Sequence, residues 1–165
     1  MTRVNKTISS PLGPLTLVAD DDALAGIYFD QHRHPPAEIG ATVSEHAILD
    51  RAAEQLCEFF EGTRRKFDLP LAPAGTEFQQ LVWAELRKIP FGSTASYGEL
   101  ASRLDKPGAS RAVGAANGKN PLSIVVPCHR VIGANGSLTG YAGGEETKKW
   151  LLQHEAAIAP GPLFA

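Results

Sequence analysis

A proline-rich stretch separates two parts of this chain that differ in their residue patterns. Residues 68–75 read DLPLAPAG, and prolines at this spacing cannot continue a helix, so the stretch is typical of a linker. A chain of 165 residues is long enough for two small domains. We therefore predict an N-terminal domain over residues 1–74 and a C-terminal domain over residues 75–165, which together make an α+β protein.

The N-terminal part carries short apolar runs that are typical of β-strands, with turn-forming residues between them. The runs cover residues 7–10, 15–19 and 24–29. We expect a small antiparallel meander followed by a loop over residues 31–44. His32 and His34 lie in that loop without a cysteine or a clustered carboxylate, so we predict no metal site there.

One amphipathic helix is predicted after this loop. Apolar residues recur with helical spacing from Ile48 to Phe60, and the pattern ends at Gly62. Cys57 flanks the apolar face and has no basic neighbour that would activate it. We interpret Cys57 as a small core thiol.

The C-terminal part begins with helical patterns. Thr76 and Gln79 fit a capping box, and the apolar stripe that follows ends before Pro90. Two further helices are predicted over residues 97–104 and 109–117, because turn-forming residues between them break the helical spacing. A helix, a tight turn and a helix are the outline of a DNA-binding pair. The second helix consists almost entirely of small residues, which suits close approach either to a DNA groove or to a neighbouring helix.

Cys128 and His129 follow an apolar, β-branched run. Residues 124–126 predict a short buried strand, which Pro127 should end because it cannot donate a backbone hydrogen bond. An imidazole that takes the proton of a thiol raises the reactive thiolate fraction. His129 can serve Cys128 only if the backbone turns between them, since adjacent strand residues point to opposite faces. A buried structural cysteine beside a hydrogen-bonded histidine is the alternative at this point.

The last part of the chain combines a glycine-rich segment with a helix. Residues 133–144 hold too many glycines for regular structure, and we expect a mobile lid that carries Tyr141. A helix over residues 146–157 places Glu155 on its apolar face, where a carboxylate needs a partner. An ion pair at the helix rim with Lys148 or Lys149 is the alternative.

Charge is distributed unevenly along the chain. The net charge of −2 argues against a protein that coats nucleic acid through a large phosphate-binding surface. Residues 1–74 hold 7 basic and 11 acidic residues, whereas the rest of the chain holds 9 and 7. Between Arg87 and Arg130 there are 7 basic residues against 2 acidic ones, a net charge of +5, so we expect a local basic patch.

Cysteine content and hydropathy limit the compartment. Only two cysteines occur, far apart, which fits a reducing environment without a disulfide. No apolar run approaches the length that spans a bilayer, and the polar N-terminus lacks the core of a signal peptide. We expect a cytoplasmic protein without membrane association.

The string PCHRVI at residues 127–132 resembles the active-site motif of the O6-alkylguanine-DNA alkyltransferases, the repair proteins that move an alkyl group from damaged guanine onto their own cysteine. The resemblance implies an RNase H-like N-terminal domain and a C-terminal domain with a winged helix-turn-helix-like motif. It also implies one-time transfer from O6-alkylguanine, and less efficiently from O4-alkylthymine, after base flipping and without a cofactor. The resemblance extends over GTEFQ at 75–79, YGELA at 97–101, RAVG at 111–114 and GYAGG at 140–144.

The resemblance implies roles for individual residues near the thiol. Cys128 matches the alkyl acceptor, His129 the base that activates it through a water, and Glu155 the carboxylate that orients this histidine. Tyr97 matches the tyrosine that assists the leaving guanine. Asn120 matches the asparagine that ties the recognition helix to the active-site strand. The alkyl pocket is expected at Val131, Tyr141 and Ala142.

The resemblance also implies a DNA-binding surface on the second helix of the pair. Arg111 matches the arginine finger that fills the gap left by the flipped base. The other residues expected at DNA are Ser110, Ala112, Gly114, Ala115 and Asn117. The implied partner is double-stranded DNA containing O6-alkylguanine, bound by a monomer whose cooperativity on DNA the sequence leaves open.

Two departures from the family pattern affect these expectations. Ala142 stands where a human relative has a serine that bonds the base oxygen, so backbone N–H groups would have to supply that contact. The zinc ligands near the N-terminus of that relative are missing, and we predict no structural metal.

Two other functions remain open. One is a lesion-binding or transcriptional protein that uses the same helix pair without chemistry. The alkyltransferase-like proteins that bind lesions carry tryptophan in place of the cysteine, so Cys128 argues against that class. The other is a thiol hydrolase that uses Cys128, His129 and Glu155.

Overall fold

The computed structural model describes residues 2–32, 35–36, 38–138 and 140–159. His34 of the predicted loop, Thr139 of the predicted lid and residues 160–165 lie outside these ranges. Within the described ranges, no group of three or more His, Cys, Asp or Glu side chains is placed to hold a metal ion. No helix in the same ranges has the length and apolar character needed to cross a membrane.

The N-terminal part folds into a four-stranded sheet. Its strands are β1 (Arg3–Ile8), β2 (Leu15–Asp20), β3 (Ala23–Phe29) and β4 (Ala41–Thr42). The strand order is β3-β2-β1-β4, with β1 to β3 antiparallel and β4 parallel to β1. The predicted meander is confirmed, although its first strand begins at Arg3 instead of Thr7. The sequence pattern does not predict β4, because its two residues are both exposed and too few to show alternation.

Helix α1 (Ala47–Glu61) packs against the sheet and ends as predicted. Gly62 takes a left-handed φ of 87° and its N–H bonds the carbonyl of Phe59, which closes the helix. Cys57 is exposed, and its thiol donates to the Glu61 carboxylate at 3.4 Å. The prediction of a core thiol is therefore wrong. Each helical residue is rotated by about 100° from the last, which turns Cys57 away from the buried face beside Leu56.

The C-terminal part is largely helical. Its helices among the described residues are α2 (Glu77–Leu86), α3 (Tyr97–Arg103), α4 (Ser110–Gly118) and α5 (Glu145–Ile158). The capping box of Thr76 and Gln79 and the α3–α4 pair are confirmed. A short parallel pairing of β5 (Ala95–Ser96) with β6 (Val131–Ile132) places the start of α3 beside the segment that carries Cys128.

Residues 124–126 are buried as predicted, but they form turns, so the predicted strand is wrong. Val125 N donates to Ser123 O at 2.9 Å around Ile124, whose φ of 75° is unusual for a β-branched residue. A second tight turn follows, in which Cys128 N donates to Val126 O at 2.7 Å around Pro127. Residues 124–126 pair with no strand of the described chain. The apolar run is therefore buried without the hydrogen bonds of a β-ladder. Cys128 then begins a 3₁₀ turn, Cys128–Arg130.

One apolar cluster joins the two parts of the chain. It includes Leu17 of β2, Phe59 of α1, Leu86 of α2 and Leu151 of α5. The outer edge of β3 strengthens the connection, because residues on either side of the predicted boundary hydrogen-bond to it. Leu24 N donates to Pro70 O and Ile27 N donates to Pro121 O, both at 2.8 Å.

Candidate active site

The thiol of Cys128 lies inside the protein, where 2% of the residue is exposed. Its position follows from the contact of Pro121 with the edge of β3 and from the two tight turns at Ile124 and Pro127. The 3₁₀ turn then bends the backbone between Cys128 and His129, which the sequence analysis required if His129 is to serve the thiol. Burial raises the pKa of the Cys128 thiol to about 11, while the amide of Asn120 and the charge of Lys148 act in the opposite direction. The thiol is therefore protonated in the free protein at neutral pH.

Glu155 of α5 receives four hydrogen bonds from two other segments of the chain. His129 Nε2 lies 2.6 Å from one carboxylate oxygen. Arg130 donates to both oxygens, at 2.9 and 3.0 Å, and the N–H of Gly92 donates at 3.1 Å. Burial alone would raise the pKa of Glu155, but its bonds and charge contacts with His129 and Arg130 lower it to about 2. Glu155 is thus a carboxylate, and its neighbour is His129 rather than a lysine at the rim.

His129 is held in one tautomer by this carboxylate. Burial lowers the pKa of His129, although Glu155 counteracts the shift, so the imidazole is neutral at neutral pH. A carboxylate only accepts hydrogen bonds, and the proton of the imidazole is therefore on Nε2. Nδ1 then carries a lone pair and has no hydrogen-bond partner among the described protein atoms. In the described part of the chain, no direct hydrogen bond joins His129 to the thiol of Cys128. A proton must therefore pass between them through another group.

Buried polar atoms without a protein partner cluster around Cys128. In the described chain they are Asn117 Oδ1, His129 Nδ1 and Lys148 Nζ, whereas Ser123 Oγ and Tyr141 Oη have only each other as a possible partner. Buried polar groups normally have hydrogen bonds, and unpaired ones concentrate where a ligand or an ordered water supplies them. This is therefore the position in the protein at which a polar, planar ligand would find both donors and acceptors.

Lys148 was considered only as an alternative rim partner of Glu155, and its position near the thiol was not predicted. Lys148 is 0% exposed, and its Nζ lies 5.9 Å from the ring centre of Tyr97. Burial lowers the pKa of its ammonium group, and the nearby Cys128 counteracts this. The helical spacing of residues 148, 151 and 155 puts Lys148 on the same face as Leu151 and Glu155, and this pattern could have identified it.

The pocket walls named from the resemblance are all buried. Val131 lies in β6, and Tyr141 and Ala142 belong to the glycine-rich segment. The Tyr141 ring lies 6.0 Å from that of Phe29, so in this conformation it is a core side chain and not a side chain on an open lid. Burial raises the pKa of Tyr141 well above its ordinary value, which keeps its hydroxyl protonated and able to donate.

Two asparagines connect α4 to the thiol segment. Asn120 donates to Val126 O at 2.8 Å and accepts from Leu122 N at 3.0 Å, which closes the turn segment on itself. Asn117 donates to Cys128 O at 3.3 Å. Asn117, which was expected at DNA, is 2% exposed, and its side chain is directed from α4 to the backbone of Cys128.

The outer face of α4 carries the remaining residues expected at DNA. Arg111, Ala112 and Ala115 are exposed, and Ser110 and Gly114 are partly exposed. The inner face is fixed by Trp83, whose indole N–H donates to Ala116 O at 2.9 Å. A Cβ at residue 114 would lie 3.7 Å from the ring of Tyr97, which is an ordinary van der Waals contact. Of the two partners considered for this helix, the structure contains the neighbouring helix α3, and the DNA groove remains a prediction for the outer face.

The basic patch contains fewer exposed basic side chains than the seven basic residues counted in the sequence. Arg130 is 6% exposed and belongs to the Glu155 carboxylate, and it also donates to Ile89 O at 2.7 Å. Arg87 and Lys88 line a cleft at the end of α2. The exposed positive charge near α4 is therefore left to Arg103, Lys106, Arg111 and Lys119.

Two family models match this chain. The family model described as 6-O-methylguanine DNA methyltransferase, ribonuclease-like domain, matches residues 4–73. The model described as 6-O-methylguanine DNA methyltransferase, DNA binding domain, matches residues 77–157.

Relatives match the chain over nearly its whole length. A methylated-DNA–protein-cysteine methyltransferase of Mycolicibacterium paratuberculosis is 47% identical over 158 residues, which cover 96% of this chain and 95% of that protein. A protein of the same name from Salmonella typhimurium is 46% identical and covers 94% of this chain and 96% of its own length. The crystal structure of Mycobacterium tuberculosis OGT in complex with DNA matches with a TM-score of 0.87 at 44% identity, over 97% of both chains. The chain therefore belongs to the 6-O-methylguanine DNA methyltransferase family, and the resemblance and the α+β fold expected from its sequence are confirmed.

Proposed function

We propose that this protein repairs double-stranded DNA by moving the alkyl group of O6-alkylguanine, and less efficiently of O4-alkylthymine, to Cys128. The observation that carries the proposal is a buried thiol next to a neutral imidazole whose tautomer is set by a carboxylate. The matched family and the relatives named as methylated-DNA–protein-cysteine methyltransferases support it.

The chemistry is a displacement at the alkyl carbon. Nδ1 of His129 accepts the thiol proton through a bridging water, and the imidazolium that forms is stabilised by Glu155. The Sγ–carbon bond forms while the carbon–O6 bond breaks, and the base takes the electron pair of the broken bond. Tyr97, close to both Cys128 and Lys148, donates a hydrogen bond to the leaving base. The base takes up one proton while the imidazolium of His129 releases the thiol proton to water, so that overall the alkyl group passes to sulfur, one proton passes to the base, and guanine stays in the DNA.

A flipped base would occupy the region of the unpaired polar atoms around Cys128. Because Cys128 is almost fully buried, the base reaches it only after extrusion from the stack and displacement of the segment around Tyr141. Val131, Tyr141 and Ala142 would then contact the alkyl group and the base. We also propose that residues 1–74 and 75–165 are the two domains, with the α4 face of the second on DNA.

Intact-mass measurement tests the function directly. After incubation with duplex DNA containing O6-methylguanine, the protein should gain the mass of one methyl group, and guanine should appear in the DNA. A lesion-binding protein would bind the duplex without any gain in mass. A thiol hydrolase would return to its starting mass after each turnover.

Replacement of Arg111 by alanine should slow repair in duplex DNA by about tenfold or more and affect single-stranded DNA little. Arg111 is exposed in the first turn of α4, where its side chain can fill the gap that the flipped base leaves in the base stack. Extrusion costs a few kcal/mol in a duplex and much less in a single strand. Single-turnover rates on both substrates measure the difference, and Lys119→Ala is the matched control for a phosphate contact. An equal loss on both substrates would show that Arg111 is such a contact as well.

Methylation of Cys128 should destabilise the free protein. Cys128 belongs to the same buried cluster as Val126, Val131 and Tyr141, and an extra carbon in a filled core typically costs about 1 to 3 kcal/mol. For a protein of this size, that cost should lower the melting temperature by several degrees. Thermal melts of the methylated and unmethylated protein in one buffer measure it. A methylated form that melts at the same or a higher temperature would mean that the site has spare room.

A further inference from the structure

A cleft of about 650 Å³ lies outside the proposed transfer site. Three segments of the chain line it: residues 65–71 after α1, residues 87–91 at the end of α2, and residues 124–130 of the turn segment. None of the residues of α3 and α4 lines it. The cleft is therefore separate from the face that we propose for DNA, although one wall is the reverse side of the segment that carries Cys128.

The floor of this cleft is apolar. Its side chains include Phe67, Leu69, Ile89, Phe91 and Val125. Phe91 is held in place by two guanidinium groups, since the Cζ atoms of Arg65 and Arg130 lie 5.5 and 5.6 Å from its ring centre. The floor can therefore receive a large apolar side chain.

The rim of the cleft is cationic. Five of its lining residues are Arg or Lys and none is Asp or Glu. Lys88 and Arg130 are neutralised by Glu85 and Glu155. The other three, Arg65, Lys66 and Arg87, are exposed and form no ion pair within the described part of the chain. In a chain with a net charge of −2, this is a local excess of uncompensated positive charge over an apolar floor.

We propose that the cleft binds an acidic peptide segment of a partner protein that carries a large apolar side chain. The apolar side chain would bury itself against Phe67, Ile89 and Phe91, and neighbouring carboxylates would pair with Arg65, Lys66 and Arg87. Single-stranded nucleic acid fits the cleft less well, because its bases need an open aromatic face. Two guanidinium groups already lie over the ring of Phe91, and the ring of Phe67 packs against that of Phe59 with their centres 5.7 Å apart, so both aromatic rings of the lining already have partners.

Fluorescence anisotropy with a labelled peptide tests this proposal on the full chain. The probe is a fluorescein-labelled peptide of four glutamates followed by Leu-Phe, and saturable binding is expected at micromolar concentrations. The double variant Lys66→Glu, Arg87→Glu should weaken binding by about tenfold or more, because both charges lie at the rim. The single variants Lys66→Glu and Arg87→Glu should each weaken binding as well, and Lys149→Glu is their control at the same change in net charge, since Lys149 is exposed on α5 outside the cleft and this variant should bind as the wild type does. Replacing Leu-Phe by Ala-Ala in the peptide should also abolish tight binding.

Several results would overturn the proposal. One is the absence of saturable binding up to about 1 mM peptide, which corresponds to negligible affinity. An equal loss in Lys149→Glu would indicate only a general effect of net charge. Equal binding of the Ala-Ala peptide would remove the role of the floor. Tighter binding of a labelled single-stranded oligonucleotide, lost in the same double variant, would assign the cleft to nucleic acid instead.

Discussion

Replacement of Cys128 by alanine should abolish alkyl transfer completely while leaving the fold and the DNA affinity nearly unchanged. The loss is complete because the transfer forms a bond to Sγ, and no neighbouring group replaces it. Cys57, the second cysteine, is exposed on α1, and its hydrogen bond to the Glu61 carboxylate raises the pKa of its thiol. Removing one buried sulfur should cost only about 1 kcal/mol of folding free energy.

The experiment follows transfer by intact mass and by peptide mapping after incubation with a methylated duplex. Cys57→Ala is the matched control and should gain one methyl group at the wild-type rate. DNA affinity, measured by anisotropy, should agree in all three proteins. Methyl transfer that survives Cys128→Ala, or a label on Cys57, would refute the assignment of the acceptor.

Replacement of Glu155 by glutamine should both slow the reaction and destabilise the protein. Without the carboxylate, the imidazolium that forms on His129 faces only a neutral amide and the charge of Arg130. The alkylation rate should therefore fall on the order of 10²-fold. Arg130 also loses the counter-charge for a buried guanidinium, and breaking a buried ion pair costs about 3 to 5 kcal/mol, or roughly 10 °C in melting temperature.

The acid dependence of stability provides a second measurement on the same variant. The pKa of Glu155 is about 2 in the folded protein against 4.5 as its ordinary value. The unfolded chain therefore binds the extra proton between these values, and the stabilisation, roughly 3 kcal/mol, is present above pH 4.5 and is lost as the pH falls toward 2. Urea melts at pH 3 and pH 7 should show a larger loss in the wild type than in Glu155→Gln, by about 2 kcal/mol, because Asp20 and Asp50, whose pKa values are also lowered, contribute equally in both proteins. Glu146→Gln, exposed on the same helix, is the control; if it behaved like Glu155→Gln, the effect would not come from the buried carboxylate.

Local signals in the sequence predicted local structure well. The end of α1 at Gly62 and the start of α2 at Thr76 each depend on hydrogen bonds within a few residues, so the pattern was sufficient. The apolar run at 124–126 correctly indicated burial. Its conformation depends on distant partners, the Asn120 amide and the edge of β3, and a sequence pattern carries no signal for them.

The candidate site was predicted through the family resemblance more than through patterns. Glu155 and His129 lie far apart in the sequence, and only the resemblance to the family connected them. Arg130 belongs to the same motif, but its pairing with Glu155 could not be foreseen, because an arginine among basic neighbours looks like part of a surface patch. Lys148 was not expected near the thiol, since lysine is rarely buried without a partner.

The cluster of apolar side chains that runs from β2 to α5, together with the two contacts on the edge of β3, joins the two proposed domains across the boundary near residue 74. The two parts share one core, so they should unfold in a single transition. Destabilisation at Cys128 should then reach the strands as well, because the apolar cluster of the described residues is continuous between them. Because each molecule reacts only once, a protease can then remove the alkylated form by cleaving it wherever the chain unfolds. No separate degradation signal near the alkylated thiol is required.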